Sequence, residues 1–199
     1  MPARGAKLSR MTIGIRRAGV EDARAIAQIH IASWRETYAQ MMPAETLAAL
    51  DALEWTERWR GYLSDDDPAA ATFLALDETG DAAGFGYCRR QRSEKLLPLG
   101  FSGEITSLYL LRRVQRRGAG RRLLGAMAEH LLAQGLNSAG LWVFRDAAHA
   151  RRFYEAHGAT PTGVEGVWEI YGLVLADMAY GWRDLRPLAF SGGSSEAGA

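Results

Sequence analysis

The chain has 199 residues, 48% hydrophobic and 24% charged, and its 24 basic residues nearly balance its 23 acidic ones. This composition predicts one globular domain, and the small net charge argues against a dedicated nucleic-acid binder. A single cysteine, Cys88, excludes an intrachain disulfide and a multi-cysteine metal site, which favours a reducing, cytoplasmic setting. No long apolar run is present, so neither a signal peptide nor a membrane helix is expected.

Hydrophobic periodicity predicts alternating strands and helices between two loose ends. Residues 1–11 and the Gly/Ser-rich residues 191–199 are expected to be flexible, with a single domain at residues 12–190. Strands are predicted at 12–17, 72–76, 83–89, 103–111, 139–144, 163–170 and 173–182, and helices at 20–38, 44–63, 117–134 and 147–157. This order predicts an α/β fold, a mixed sheet of about seven strands with helices on both faces.

The most specific stretch is GEITSLYLLRRVQRRGAGRRLL at residues 103–124, in which a strand leads through the 115–120 turn (QRRGAG) into a helix. Gly118 and Gly120 allow the backbone to approach a ligand closely. The unpaired N–H groups and the dipole of the helix start attract anions. Four arginines surround this turn: Arg116, Arg117, Arg121 and Arg122. We therefore expect a phosphate or pyrophosphate here, although a plain tight turn is the simpler alternative.

Other phosphate motifs fit this turn less well. A P-loop requires Gly-Lys-Ser/Thr after the turn, and the chain has none there. A dinucleotide fingerprint requires a third glycine at the position that Leu123 occupies.

The QRRGAG sequence resembles the Q/R-x-x-G-x-G/A signature of the GNAT superfamily of N-acetyltransferases. A second segment, DAAHARRFYEAHG at residues 146–158, is similar to that family's later motif, and the element order matches its fold over residues 13–185. The resemblance implies acetyl-CoA as acyl donor, no metal, and direct attack by a primary amine of a small molecule or peptide.

The resemblance also implies a set of cofactor-binding residues. The signature turn would bind the pyrophosphate through backbone N–H groups, and the backbone of the fourth strand would pair with pantetheine. The implied residues are Leu108, Tyr109, Leu110, Gln115, Arg116, Arg117, Gly118, Ala119, Gly120, Arg121, Ala147 and Tyr154. The family often has Asn where this chain has Ala147, and alanine cannot make that side-chain hydrogen bond. More of the cofactor binding is then expected from backbone groups.

Tyr154 and Glu104 are the catalytic candidates that the resemblance implies. Tyr154, in the Phe-Tyr-Glu of the second motif, would protonate the leaving thiolate, and Glu104 would deprotonate the amine directly or through water. The backbone N–H of Leu110 is the candidate oxyanion donor. Trp34 and Tyr38, on the first helix, are candidates for the acceptor pocket, with core packing as the alternative.

Two other functions remain open from the sequence. The chain could be a catalytically silent acyl-CoA-binding module, which needs neither Tyr154 nor Glu104. The arginine run at residues 112–122 could contact nucleic acid, but the balanced charge counts against this. The four histidines show no metal-ligand spacing and are expected at the surface or at caps, with His30 as the best exception. The late apolar strands could form a homodimer surface or complete the sheet.

Overall fold

The computed structural model describes residues 13–170 and 172–189. The strands are β1 (Gly14–Arg17), β2 (Ala71–Leu76), β3 (Ala82–Arg90), β4 (Gly103–Leu110), β5 (Ala139–Phe144), β6 (Thr160–Ile170) and β7 (Leu173–Trp182). The helices are α1 (Ala23–Tyr38), α2 (Ala44–Ala48), α3 (Ala52–Leu63), α4 (Ala119–Ala133), α5 (Ala148–Ala156) and α6 (Arg186–Ala189).

The strands form one seven-stranded mixed sheet in the order β1-β2-β3-β4-β5-β7-β6. All neighbouring pairs are antiparallel except β4 and β5, which are parallel because α4 connects them. Helices cover both faces, with α4 and α5 packed on one face and α1 and α3 on the other. The predicted fold class is confirmed.

The hydrophobic core is divided by the sheet into two layers. On the α4 side, Leu124, Met127 and Leu131 pack against strand residues such as Leu141. On the α1 side, the core is largely aromatic and is centred on the fully buried Trp59. The aromatic layer forms the wall of the main cavity, so packing and site are parts of one structure.

The predicted helix at residues 44–63 is wrong in one respect, because the chain breaks it into α2 and α3. Asp51 adopts an extended conformation and its side chain accepts a hydrogen bond from the backbone N–H of Glu54, which caps α3. The helix predicted to begin at Arg117 begins at Ala119 instead, because Arg116 and Gly118 adopt left-handed backbone conformations. The tails predicted to be flexible, residues 1–11 and 191–199, lie outside the described residues.

Within the part of the chain that the structure describes, no helix combines the length and the apolar character needed to cross a membrane. The same residues contain no group of three or more His, Cys, Asp or Glu side chains arranged to hold a metal ion.

The close packing of β7 on β5 predicts a contrast between two glycines. A Cβ atom at Gly181 would lie 2.3 Å from Phe101 Cε1 and 2.9 Å from the Ala139 carbonyl oxygen, whereas one at Gly61 would meet nothing. We expect Gly181→Ala to lower the free energy of unfolding by about 1–3 kcal/mol through overpacking. The control Gly61→Ala should raise it by up to about 1 kcal/mol, because alanine favours helix. Urea denaturation measures both, and equal effects would contradict the described packing.

Candidate functional site

The two central strands separate soon after they pair. β4 and β5 are in register only at Gly103–Ala139 and Glu104–Gly140. Beyond these pairs β5 continues beside β7, and β4 continues beside β3 with a bulge at Thr106. A wedge therefore opens between β4 and β5, with Glu104 at its narrow end, and it forms part of a cavity of about 1540 Å³.

The backbone of β4 faces this wedge with unpaired polar groups. The N–H of Leu111 donates to the carbonyl of Ala83 on β3 at 2.9 Å. Because successive residues of a strand alternate in direction, Leu108 and Leu110 turn their N–H and C=O groups the other way, into the wedge. No strand pairs with them there. The Leu110 carbonyl accepts one hydrogen bond, from Gln115 Nε2 at 2.9 Å.

The 115–120 turn lies at the open end of the wedge. Arg116 has φ 56° and Gly118 has φ 83°, so two left-handed residues turn the chain into α4. Among the described residues, none accepts a hydrogen bond from the backbone N–H groups of residues 116–121. These free donors at a helix start, together with the helix dipole, form an anion site.

Gly120 is a contact point between two helices. A Cβ atom there would lie 3.0 Å from Cε2 of Phe153 on α5. The missing side chain thus brings α5 against the start of α4, and α5 carries Tyr154 to the cavity wall.

The arginines around the turn divide into paired and free groups. Arg113 pairs with Asp77 at 3.0 Å, and Arg117 pairs with Glu78 away from the cavity. Arg116 and Arg121 line the cavity and form no salt bridge with any described carboxylate. Among the arginines of this turn, Arg116 and Arg121 are therefore the two whose charge is available to an anion in the cavity. The side chains of Ala119 and Ala147 are buried outside the cavity lining, so only their backbone could contribute.

Three tyrosines meet the cavity from different elements. Burial raises the pKa of Tyr154 on α5 well above 10, and burial likewise raises the pKa of Tyr38 and Tyr109. If ionised, these side chains would repel one another, which further raises the pKa of Tyr154 and the pKa of Tyr38. All three hydroxyls therefore remain protonated at neutral pH and can donate hydrogen bonds.

An aromatic basin continues the cavity on the α1 side of the sheet. Trp34 and Tyr38 lie in it, and both are buried. The aromatic rings of the basin are Trp34, Tyr38, Trp55, Trp59, Tyr62, Tyr87, Tyr109, Trp142, Phe144 and Trp168. Trp34 and Tyr38 thus both pack in the core and line the cavity, so the two alternatives considered for them are not exclusive.

His30 lies inside this basin, contrary to the expectation of surface or capping histidines. Its ring stacks on Tyr109 with centroids 4.8 Å apart, and its Nδ1 accepts a hydrogen bond from Trp59 Nε1 at 3.2 Å. Burial lowers the pKa of His30 to about 3. A neutral imidazole whose Nδ1 is occupied carries its proton on Nε2, so it is not a base.

Two buried carboxylates line the cavity. Glu104, which sequence reasoning identified, lies 3.4 Å from the guanidinium of Arg92. Asp177, which it missed, lies on β7. The available signal was that Asp177 is the one charged residue in the ten-residue apolar strand Leu173–Trp182.

Comparison with known proteins gives consistent matches. Residues 25–159 match the model of the acetyltransferase (GNAT) family. A Bacillus subtilis protein named uncharacterized N-acetyltransferase YuaI is 35% identical over 176 residues, which cover 88% of this chain and 96% of that protein.

Solved structures share the fold at low sequence identity. The PaiA N-acetyltransferase of Thermoplasma acidophilum, solved in complex with coenzyme A, is 20% identical with a TM-score of 0.63, over 85% of this chain and 98% of that one. The acetyltransferase yncA of Salmonella typhimurium, solved with acetyl-CoA, is 16% identical with a TM-score of 0.64, over 94% and 98%.

The buried neutral state of His30 predicts a pH dependence of stability. As the pH falls below 6.5, His30 becomes protonated in the unfolded chain, whereas in the folded chain it stays neutral down to about pH 3. The wild type should therefore lose about 1.4 kcal/mol of unfolding free energy per pH unit through this residue as the pH falls. His30→Gln, which preserves an acceptor for Trp59, should remove that part of the slope.

Urea unfolding between pH 6.5 and pH 4.5 measures this slope. His157→Gln, at the half-exposed end of α5, is the control and should retain the wild-type slope. Identical slopes for all three proteins would contradict the assignment to His30.

Proposed function

Because the chain belongs to the acetyltransferase (GNAT) family, we propose that it transfers an acetyl group from acetyl-CoA to a primary amine by direct attack. The observation that carries the proposal is the continuity of the wedge with the 115–120 turn. A strand-like arm fits between β4 and β5, and a pyrophosphate fits where the wedge meets the start of α4. Two proteins of this fold, PaiA and yncA, were solved with coenzyme A or acetyl-CoA.

The chain would hold the donor mainly through backbone groups. Leu108 and Leu110 offer N–H and C=O groups to the amides of pantetheine, as an added strand would pair with a sheet edge. The N–H groups of residues 116–121 would bind the pyrophosphate, with Arg116 and Arg121 supplying positive charge. This mode does not require a side-chain amide at Ala147.

Glu104 is the proposed base. An alkyl ammonium has a pKa of about 10.4, so it must lose a proton before it can attack a carbonyl at neutral pH. Glu104 lies at the narrow end of the wedge with its carboxylate on the acceptor side, where it can accept that proton directly or through a water. The guanidinium of Arg92 lies 3.4 Å from this carboxylate.

Tyr154 is the proposed proton donor to the leaving sulfur. The pKa of a thiol in water is about 8.5, which is below the pKa of a buried phenol. Proton transfer from Tyr154 to a fully solvated thiolate would therefore be unfavourable. In the cleft the thiolate is desolvated as well, which raises its own proton affinity. A protonated Tyr154 can therefore stabilise the departing thiolate by a hydrogen bond and deliver the proton. The N–H of Leu110 is assigned to the pantetheine arm, because at about 3.3 Å per residue it lies roughly 20 Å along β4 from Glu104, too far to hold the oxygen of a thioester attacked there.

The division of the arginines predicts unequal effects on coenzyme A binding. Arg121→Ala removes an unpaired cavity cation and should weaken coenzyme A binding about tenfold, the value of one charge-assisted contact. Arg117→Ala is the matched control, because Arg117 pairs with Glu78 outside the cavity lining and should change the affinity by less than about twofold. Calorimetric titration measures both. Equal losses would contradict binding of the pyrophosphate inside the cavity.

The acid–base assignment predicts losses in turnover rather than in cofactor binding. Tyr154→Phe and Glu104→Gln should each lower kcat by about a hundredfold, with the affinity for acetyl-CoA changed by only a few fold. The control Tyr180→Phe removes a hydroxyl that donates to Glu155 outside the cavity lining, and it should preserve kcat.

The measurement is release of free thiol from acetyl-CoA in the presence of a panel of amines. Wild-type turnover retained by Tyr154→Phe would refute the acid assignment. Binding of coenzyme A without thiol release for any amine would instead favour the silent binding module.

A further inference from the structure

Asp177 is a buried carboxylate that forms no salt bridge with a described residue, although its own backbone N–H and the nearby charge of Lys95 favour its ionised form. Its side chain is 8% exposed and lines the cavity, and its Oδ1 has no hydrogen-bond partner. No Lys, Arg or His among the described residues forms a salt bridge with it. Buried carboxylates are ordinarily paired, because desolvating an unpaired charge is costly. Burial accordingly raises the pKa of Asp177.

The backbone of Gly166 packs closely against Asp177 where Asp177 lines the cavity. Asp177 stands opposite Phe144 on β5 and Gly166 on β6, on the face of the sheet that forms the basin. A Cβ atom at Gly166 would lie 2.6 Å from Asp177 Oδ1 and 3.1 Å from Trp142 Cζ3. The absence of a side chain at Gly166 therefore lets the carboxylate and the Trp142 ring pack closely over β6 at the cavity wall.

Aromatic rings surround this carboxylate. Trp142 contacts the same glycine position. Phe144, the β5 partner of Asp177, contacts Trp168 at a centroid distance of 5.5 Å, with the two ring planes tilted by 53°. The ammonium of Lys95 already lies 5.9 Å from the centre of the Trp142 ring while it donates to the Glu165 carbonyl. A carboxylate among aromatic faces suits an organic cation, which gains both ion pairing and cation–π attraction.

Asp177 lies well away from the proposed base. Glu104 on β4 pairs with Gly140 on β5, and Asp177 on β7 pairs with Phe144, which is four residues further along β5. Glu104 and Asp177 therefore lie two strands apart, on opposite sides of β5. With a rise of about 3.3 Å per residue and about 4.8 Å between strands, the two Cα atoms are on the order of 16 Å apart on a flat sheet. An amine beside Glu104 is therefore too distant for the same ammonium to reach Asp177.

We propose that Asp177 binds a second cationic group of the acceptor, so that the substrate class is an elongated diamine or polyamine. This inference rests on the proposed acetyl transfer to an amine. One amine reacts at the wedge beside Glu104, and the distal ammonium lies among Asp177, Trp142 and Trp168. Asp177 is then a binding and specificity residue that does not touch the reacting atoms.

A series of diaminoalkanes, from 1,3-diaminopropane to 1,10-diaminodecane, tests the proposal. We expect kcat/KM to rise with chain length to an optimum among the longer members. Alkyl monoamines and ω-amino acids of the same length, which lack the distal ammonium or invert its charge, should be roughly tenfold poorer or worse. Asp177→Asn should lower kcat/KM for the best diamine by a similar factor, mainly through KM, and should not change the rate with monoamines.

The matched control is Asp66→Asn at an exposed position outside the cavity, which should leave all of these values unchanged. Stability gives a second readout that does not require turnover. Because the unpaired carboxylate disfavours the folded state above its pKa, Asp177→Asn should raise the melting temperature at neutral pH, and binding of acetyl-CoA should be preserved.

Equal use of diamines and monoamines, or an unchanged length profile in Asp177→Asn, would overturn the role of Asp177 while leaving acetyl transfer intact. Preference for ω-amino acids would overturn it in favour of a site for an anionic group. Failure of every amine to release thiol would instead refute the proposed function itself.

Discussion

A sheet can open at its centre only if the exposed backbone finds other partners, and this constraint governs the molecule. β4 and β5 share two registered residue pairs and then separate, which leaves Leu108 and Leu110 with polar groups directed into the gap. Buried N–H and C=O groups left unpaired are costly. The proposed donor site answers this cost, because an extended ligand with amide groups would restore the pairing that the missing stretch of strand would have supplied.

The other elements of the site are arranged around this gap. α4 follows β4 and presents free N–H groups at the open end of the wedge, while Gly120 lets Phe153 bring α5 against it. α5 in turn carries Tyr154 to the cavity wall. On the opposite face, the aromatic layer that packs against α1 and α3 also lines the cavity, so residues such as Trp34 belong to the core and to the cavity wall together.

Sequence periodicity predicted the seven strands and the main helices, because each has an apolar face in contact with one core. The 115–120 turn could be identified since glycine spacing and arginines are local features. The break at Asp51 was missed because apolar spacing continues through it, although Asp51 and Glu54 form a recognisable helix cap. The wedge, the aromatic environment of His30 and the unpaired Asp177 depend on contacts between residues distant in the chain, which no local pattern records.

The central claim is that the open edge of β4 and the start of α4 bind the acyl donor through backbone groups. Amide hydrogen exchange with and without coenzyme A tests it most directly, because each N–H is followed separately from catalysis. Slower exchange at Leu108, at Leu110 and at residues 116–121, with β2 (Ala71–Leu76) unchanged, is the predicted result. Binding of coenzyme A with no protection at either of those segments would contradict the account.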